Sequence, residues 1–111
     1  MKVDIDRGRI IGAVGEQIRF QVNARGTVHG VSYELAGESI PLLQGEEISI
    51  TLEREPKYLE FRFDFSGETR GAYEIRVIGS RREYTHAVEQ YSTDAPVMLA
   101  FGLEGDPDED L

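Results

Sequence analysis

Few side chains in this 111-residue chain are of types that do chemistry, and their spacing limits what that chemistry is. Its two histidines, His29 and His86, keep step with apolar neighbours: His29 with Val31 and Tyr33, His86 with Tyr84 and Val88. By parity both point inward, where a nearby carboxylate would make them an acid–base or metal-binding pair. Nothing in the spacing brings them together, so the simpler expectation is a turn residue beside Gly30 and a half-buried strand residue. No G-x-S-x-G stretch occurs, and Ser32, Ser39, Ser49, Ser66, Ser80 and Ser92 fall in strands or turns without a paired histidine. Glu34, Glu60 and Glu74 are carboxylates of the kind glycosidases pair. They alternate with apolar residues, which is the pattern of a solvated sheet face. The chain is therefore expected not to be an enzyme.

Oxygen ligands are the livelier possibility. "DPDED" sets Asp106, Asp108 and Asp110 at alternate positions, as calcium loops do, but lacks their turn glycine and later bidentate glutamate. "DIDRG" supplies Asp4 and Asp6 with the same incompleteness. The expectation is no cofactor, with Ca²⁺ as the alternative, because acidic runs are usually solvated. Carbohydrate binding favours a flat aromatic platform. Tyr33, Tyr58, Tyr84 and Tyr91 are available, but there is no tryptophan, and Tyr33 and Tyr84 share the parity of core residues.

Composition excludes several classes. There is no cysteine, hence no disulfide, zinc–thiolate site, iron–sulfur cluster or cysteine nucleophile. The net charge of −9, from 21 acids and 12 bases, opposes binding to nucleic acid or to an anionic membrane surface. The adjacent bases Arg81 and Arg82 are followed at once by Glu83. No apolar run approaches the 18 or so residues of a membrane span. "MKVDIDRGRIIGAVG" carries charges where a secretory leader is apolar. A chain complete as given is expected in the cytoplasm, and one trimmed of a leader or neighbouring domain is expected outside the cell.

The elements that must position these residues read as strands. Apolar residues recur at every second position: Ile18, Phe20, Val22; Val31, Tyr33, Leu35; Ile48, Ile50, Leu52; Leu59, Phe61, Phe63, Phe65; Tyr73, Ile75, Val77; Val97, Leu99, Phe101, Leu103. A short start at Val3 and Ile5 and a less regular "REYTHAVEQY" complete seven or eight strands. Arg25-Gly26, Ala36-Gly37, Gln44-Gly45, Ser66-Gly67 and Gly79-Ser80 punctuate them. About 65% of the unfolded surface of a chain this long is buried on folding, enough for one core. The expected domain is residues 1–103, followed by a mobile acidic tail over 104–111, where five of eight residues are acidic.

"FRFDFSGETRGAYEIRV" poses a choice. As a hairpin, one register sets Arg62 against Arg76 and Asp64 against Glu74. The other sets Arg62 against Glu74, Glu60 against Arg76, Phe63 against Tyr73 and Phe61 against Ile75, and the charges select it. As a crossing between two sheets, the same stretch sends an inward row of phenylalanines into a sandwich core, and its long insert suits a crossing better than a tight turn.

"GEEISITL", "YLEFRFDFSG" and "GAYEIRVIGS", over about residues 45 to 80, resemble the central and later strands of bacterial immunoglobulin-like accessory domains. That resemblance implies an antiparallel immunoglobulin-like β-sandwich, Tyr73 as the tyrosine of a sheet-to-sheet corner, and a non-catalytic module. The cysteines and tryptophan of antibody domains are missing. The alternative architecture is a small β-barrel holding an apolar or metal-bound ligand, with weak enzymatic activity as a further option.

The expected function is a binding or structural module acting through sheet edges and loops, with Thr27 to Gly30 and Ser66 to Gly71 as the candidate loops. A protein partner is expected, or a homo-oligomer in which the chain is a structural subunit. The strand ending at Tyr91 is the candidate for partner or self pairing if it lies at an edge.

Overall fold

The computed structural model describes residues 1–4, 6–25, 28–43, 45–65, 70–91 and 96–109, with 28, 29, 65, 70 and 89–91 described by backbone alone. The described residues form ten strands: β1 (Lys2–Asp4), β2 (Arg9–Ala13), β3 (Gln17–Arg25), β4 (Val28–Leu35), β5 (Glu38–Pro41), β6 (Glu47–Thr51), β7 (Lys57–Phe65), β8 (Arg70–Ile78), β9 (Glu83–Tyr91) and β10 (Val97–Asp106). No helix occurs among the described residues, so none is long and apolar enough to cross a membrane. The strands form a six-stranded sheet, β1-β2-β10-β7-β4-β5, and a four-stranded sheet, β6-β3-β8-β9. All pairs are antiparallel except β2 with β10.

The protein is all-β, with two open sheets and no closed barrel, which removes the barrel alternative. Ten strands replace the expected seven or eight because β2 ("RIIGA") and β5 ("ESIP") are short and do not alternate cleanly, so period two does not reveal them. Where alternation is strict, burial follows it: along β3, Ile18, Phe20, Val22 and Ala24 are buried between exposed or half-buried polar residues.

The inner faces meet through aromatic rings. Phe20 of β3 lies 5.8 Å from Phe61 of β7 and 6.2 Å from Phe101 of β10, and those two are 6.3 Å apart, an edge-biased trio worth more than its buried area alone. β7 and β8 lie in different sheets, so the stretch over residues 61–77 is a crossing and not a hairpin. The charge pairing of the hairpin register is absent. Arg62 donates to Asp64 on its own strand, and Arg76 donates to Gln21 and Glu83. Phe63 and Tyr73 do meet, but across the interior, stacked with centroids 4.5 Å apart.

The chain read as a tail begins inside a strand. Glu104, Gly105 and Asp106 are the last rungs of β10, opposite Ile11, Gly12 and Ala13 of β2. Gly105 is buried, its N–H donating to the Glu53 carbonyl at 2.7 Å, and a Cβ there would stand 3.0 Å from Val14 Cα. An acidic composition conceals this strand because its inward position is a glycine, which carries no hydrophobic signal.

One charged side chain is buried among the described residues. Glu16, 2% exposed, sits in the β2–β3 turn, where its N–H donates to the Ala13 carbonyl. Its Oε1 accepts from Ala13 N–H at 3.1 Å, and its Oε2 accepts from Ser80 N–H at 3.0 Å and Ser80 Oγ at 3.2 Å. Its carbonyl accepts at 2.8 Å from the N–H of Leu52, just past β6, and the Leu52 carbonyl accepts in turn from Gly15 N–H at 2.8 Å. Three connections converge on one residue. Burial pushes the Glu16 carboxyl up, but the hydrogen bonds from Ser80 and Ala13 outweigh it and hold the group below the ordinary glutamate value.

Glu16→Gln places an NH₂ against one of these donors and is expected to cost about 1–3 kcal/mol, a fall of about 4–24 °C in the melting midpoint. Because the folded value is depressed, the carboxylate's stabilisation is present above the unfolded range near pH ~4.3 and is lost as pH falls through the folded value. The gap between the wild-type and Glu16→Gln melting curves should therefore close on acidification, and a gap that widens in acid contradicts the arrangement. At the β4–β5 turn, Ala36 (φ 54°) and Gly37 (φ 82°) both adopt left-handed backbone, as a two-residue type I′ hairpin requires. Ala36→Asn should relieve strain of up to about 1 kcal/mol, raising the midpoint by a few degrees in a thermal melt.

Candidate partner-binding edge

Two open sheets leave four edge strands, and three of them are blunted. β1 has three residues, β5 has four and ends in Pro41, and β6 has five. Short strands and proline are common ways of closing an edge to further pairing. β9 has nine residues, "EYTHAVEQY", without proline, glycine or lysine, and rich in residues that favour strands. It pairs with β8 rung for rung from Arg70↔Tyr91 to Ile78↔Glu83 with no bulge. Among the described residues no strand lies on its other side.

The scaffold holds this edge at both faces. On the outer face Arg76 bridges three strands, its Nη1 donating to Gln21 Oε1 of β3 at 3.0 Å and its Nε to Glu83 Oε1 of β9 at 2.7 Å, with Nη2 on the same oxygen. On the inner face Tyr73, 7% exposed, stacks on Phe63 and lies 5.8 Å from the half-buried His86 ring. Burial raises the Tyr73 phenol above its ordinary value, which keeps it neutral. At the hairpin end, Gly79 N–H donates to the Arg82 carbonyl at 2.8 Å, and Ser80 is fixed by Glu16. Beside the strand opens a hollow of about 430 Å³ lined by Asn23, Arg25, Tyr73, Glu74, Ala87 and Val88.

The arrangement offers backbone hydrogen bonds. Alternate β9 residues aim N–H and C=O away from β8, flanked by the half-exposed Tyr84 (37%) and the exposed Ala87. His86 is the half-buried strand residue that its parity suggested. Among the described residues it has an aromatic neighbour and no hydrogen-bond or ion-pair partner. The side chain of His29 lies outside the described residues, as do residues 27 and 66–69 of the two candidate loops.

Tyr73 sits just past the β7–β8 crossing, with its ring in the core. Asp106 closes the last turn: its Oδ1 accepts from Asp108 N–H at 2.9 Å and its carbonyl from Glu109 N–H at 3.0 Å, while Asp110 lies outside the described residues. Near the other end Asp4 accepts from Arg7 N–H at 3.1 Å. Among the described residues no three His, Asp or Glu gather as metal ligands. Glu34 and Glu60 are neighbours on the outer face of the six-stranded sheet, and Glu74 lies on the other sheet. Glu16, which anchors the hairpin, was legible only as a polar residue in step with Ile18, Phe20 and Val22.

No protein-family model matches this chain. No curated protein matches it either. No solved structure matches its fold.

Hydrogen exchange checks whether the edge is open. β8, paired on both sides from Ala72 to Ile78, should be protected at every amide of that stretch, whereas alternate β9 amides should exchange quickly in the free protein. Protection at every β9 amide would mean that the edge is already covered.

Proposed function

We propose that the protein is a non-catalytic β-sandwich module that binds by strand addition along β9, and that the partner this edge fits most simply is a second copy. The observation that carries this reading is the nine-residue β9 register, unbroken and open on one side, beside three short edges. Main-chain hydrogen bonds supply the affinity in such pairing, and side chains to either side supply the selectivity.

An antiparallel pairing of two β9 strands about Ala87 sets Thr85 against Glu89 and His86 against Val88, with no like charges opposite. Shifting the centre to His86 sets Glu83 against Glu89 and histidine against histidine, so the charges favour the first register. Net charge opposes self-association, and salt screens that repulsion over about 8 Å at physiological ionic strength.

An immunoglobulin-like assignment of the sandwich is supported by the repeated passage of the chain between sheets. The β8–β9 hairpin, inserted between neighbours β7 and β10, is where this chain departs from the seven-strand pattern. It is also the element that supplies the open edge.

Light scattering over a wide concentration range tests the reading. The expected result is a dimer that strengthens with added salt and is abolished by Thr85→Lys with Ala87→Lys, while the melting midpoint changes little. A chain monomeric at every attainable concentration, or a dimer indifferent to both lysines, would sink it.

A further inference from the structure

A second surface lies at the opposite edge of the four-stranded sheet and stands or falls independently of β9. Between β6 and the β4–β5 and β7 strands runs a hollow of about 890 Å³ whose apolar lining includes Leu35 and Ile50. Tyr58, 73% exposed, forms a wall of it, on the outer face of the six-stranded sheet. Tyr58 stands opposite Gly102 of β10, and Ala100 lies one outward rung along, so no larger side chain from β10 fills the space beside the ring. An aromatic ring left in water beside a groove presents a π-face with nothing on it.

The charge around that ring differs from side to side: Arg7 and Arg9 line the hollow on its β10 side, paired with Asp4 at 3.7 Å and Glu104 at 3.6 Å, and two acids stand along the sheet on the other. Glu34 of β4 and Glu60 of β7 are directly opposed in the strand register, and like charges so placed destabilise a sheet. The cross-strand neighbours beyond them, Ser39 and Ala100, carry no charge. Arg62, two residues along β7 from Glu60, donates to Asp64 at 3.1 Å. Lys57 in the groove is also engaged, with its Nζ on the Thr51 carbonyl at 3.2 Å and 3.4 Å from Glu53. Among the described residues neither Glu34 nor Glu60 has an ion-pair or side-chain hydrogen-bond partner. Two unneutralised carboxylates and an exposed aromatic ring flanking one hollow complement a cation on an apolar stem.

We propose that this groove docks an extended, lysine-bearing segment of a protein partner, with the ammonium over the Tyr58 ring and between Glu34 and Glu60, and the stem along the exposed Ala100 on the same face. Lysine suits both halves, since its methylenes pack against apolar surface while its charge stays at the rim.

The test uses the full chain and a tetralysine peptide, with tetraglutamate and tetraglycine as controls, followed by NMR titration and calorimetry. Saturable binding of tetralysine at one site is expected, with shifts centred on Tyr58, Glu34 and Glu60 and weakening with salt. Tyr58→Ala, which removes no charge, should weaken it about threefold or more. Glu60→Gln should weaken it comparably while leaving the melting midpoint unchanged or raising it by about 1–4 °C, because it relieves the opposed pair. Glu46→Gln, elsewhere on the surface, should leave binding unchanged. Diffuse multi-site binding, or binding indifferent to Tyr58→Ala, would overturn the proposal by reducing the interaction to net charge. Loss of midpoint in Glu60→Gln would overturn the claim that the opposed carboxylates are kept at a cost in stability.

Discussion

A carboxylate 2% exposed and held mainly by hydrogen bonds is the constraint on which much of this architecture turns. Glu16 satisfies donors from the β2–β3 turn and from the β8–β9 turn at once, and its backbone ties both to Leu52, just past β6. Charge-assisted hydrogen bonds in a site closed to water are strong and directional, and removing the acceptor leaves donors buried without partners. The glycines nearby follow from the same constraint: a Cβ on Gly12 would stand 2.5 Å from Glu16 Oε1, and one on Gly79 would stand 2.7 Å from Oε2. A carboxylate thus dictates side-chain-free backbone at two places, and through Ser80 it sets where the β9 hairpin begins.

The sheets are unequal, and the inequality creates both candidate surfaces. Six strands facing four leave inner-face residues of the wider sheet, such as Val31 and Tyr33, only partly covered. The narrower sheet ends in β6 on one side and β9 on the other. At β6 the mismatch opens the hollow beside Tyr58, with Glu34 and Glu60 on its flank. At β9 it leaves a long row of main-chain groups with no strand beside them among the described residues. A short, proline-ended β5 and a three-residue β1 close the wider sheet's own edges.

How far the fold could be read in advance depended on which property each element used. Strands β3, β6, β7, β8 and β10 alternate apolar with polar side chains, and that period alone reveals them. β2 is invisible to it because its inward glycine is silent and Ala13 is buried on the other parity. Tyr58 was legible as an aromatic residue on the polar parity. Its neighbours across the sheet were not, since Ala100 and Gly102 reach it only through the β7–β10 register. Glu16 was similarly half visible: parity pointed it inward, but its donors at Ser80 are sixty-four residues away.

Composition and periodicity by themselves determined that the chain is all-β, that it has one aromatic-rich core, and which face of each regular strand is dry, because these depend on alternation along a single strand. Tertiary structure alone decided the partners of each strand. The β7–β8 segment illustrates the reason. Local cross-strand charges favoured a hairpin worth a few tenths to about 1 kcal/mol per pair, whereas burying Phe61, Phe63, Tyr73 and Ile75 between two sheets stabilises by about 1.5–3 kcal/mol per side chain. Burial outweighed charge pairing and sent the strands to opposite sheets. With that crossing came the open edge of β9, which no local pattern announces.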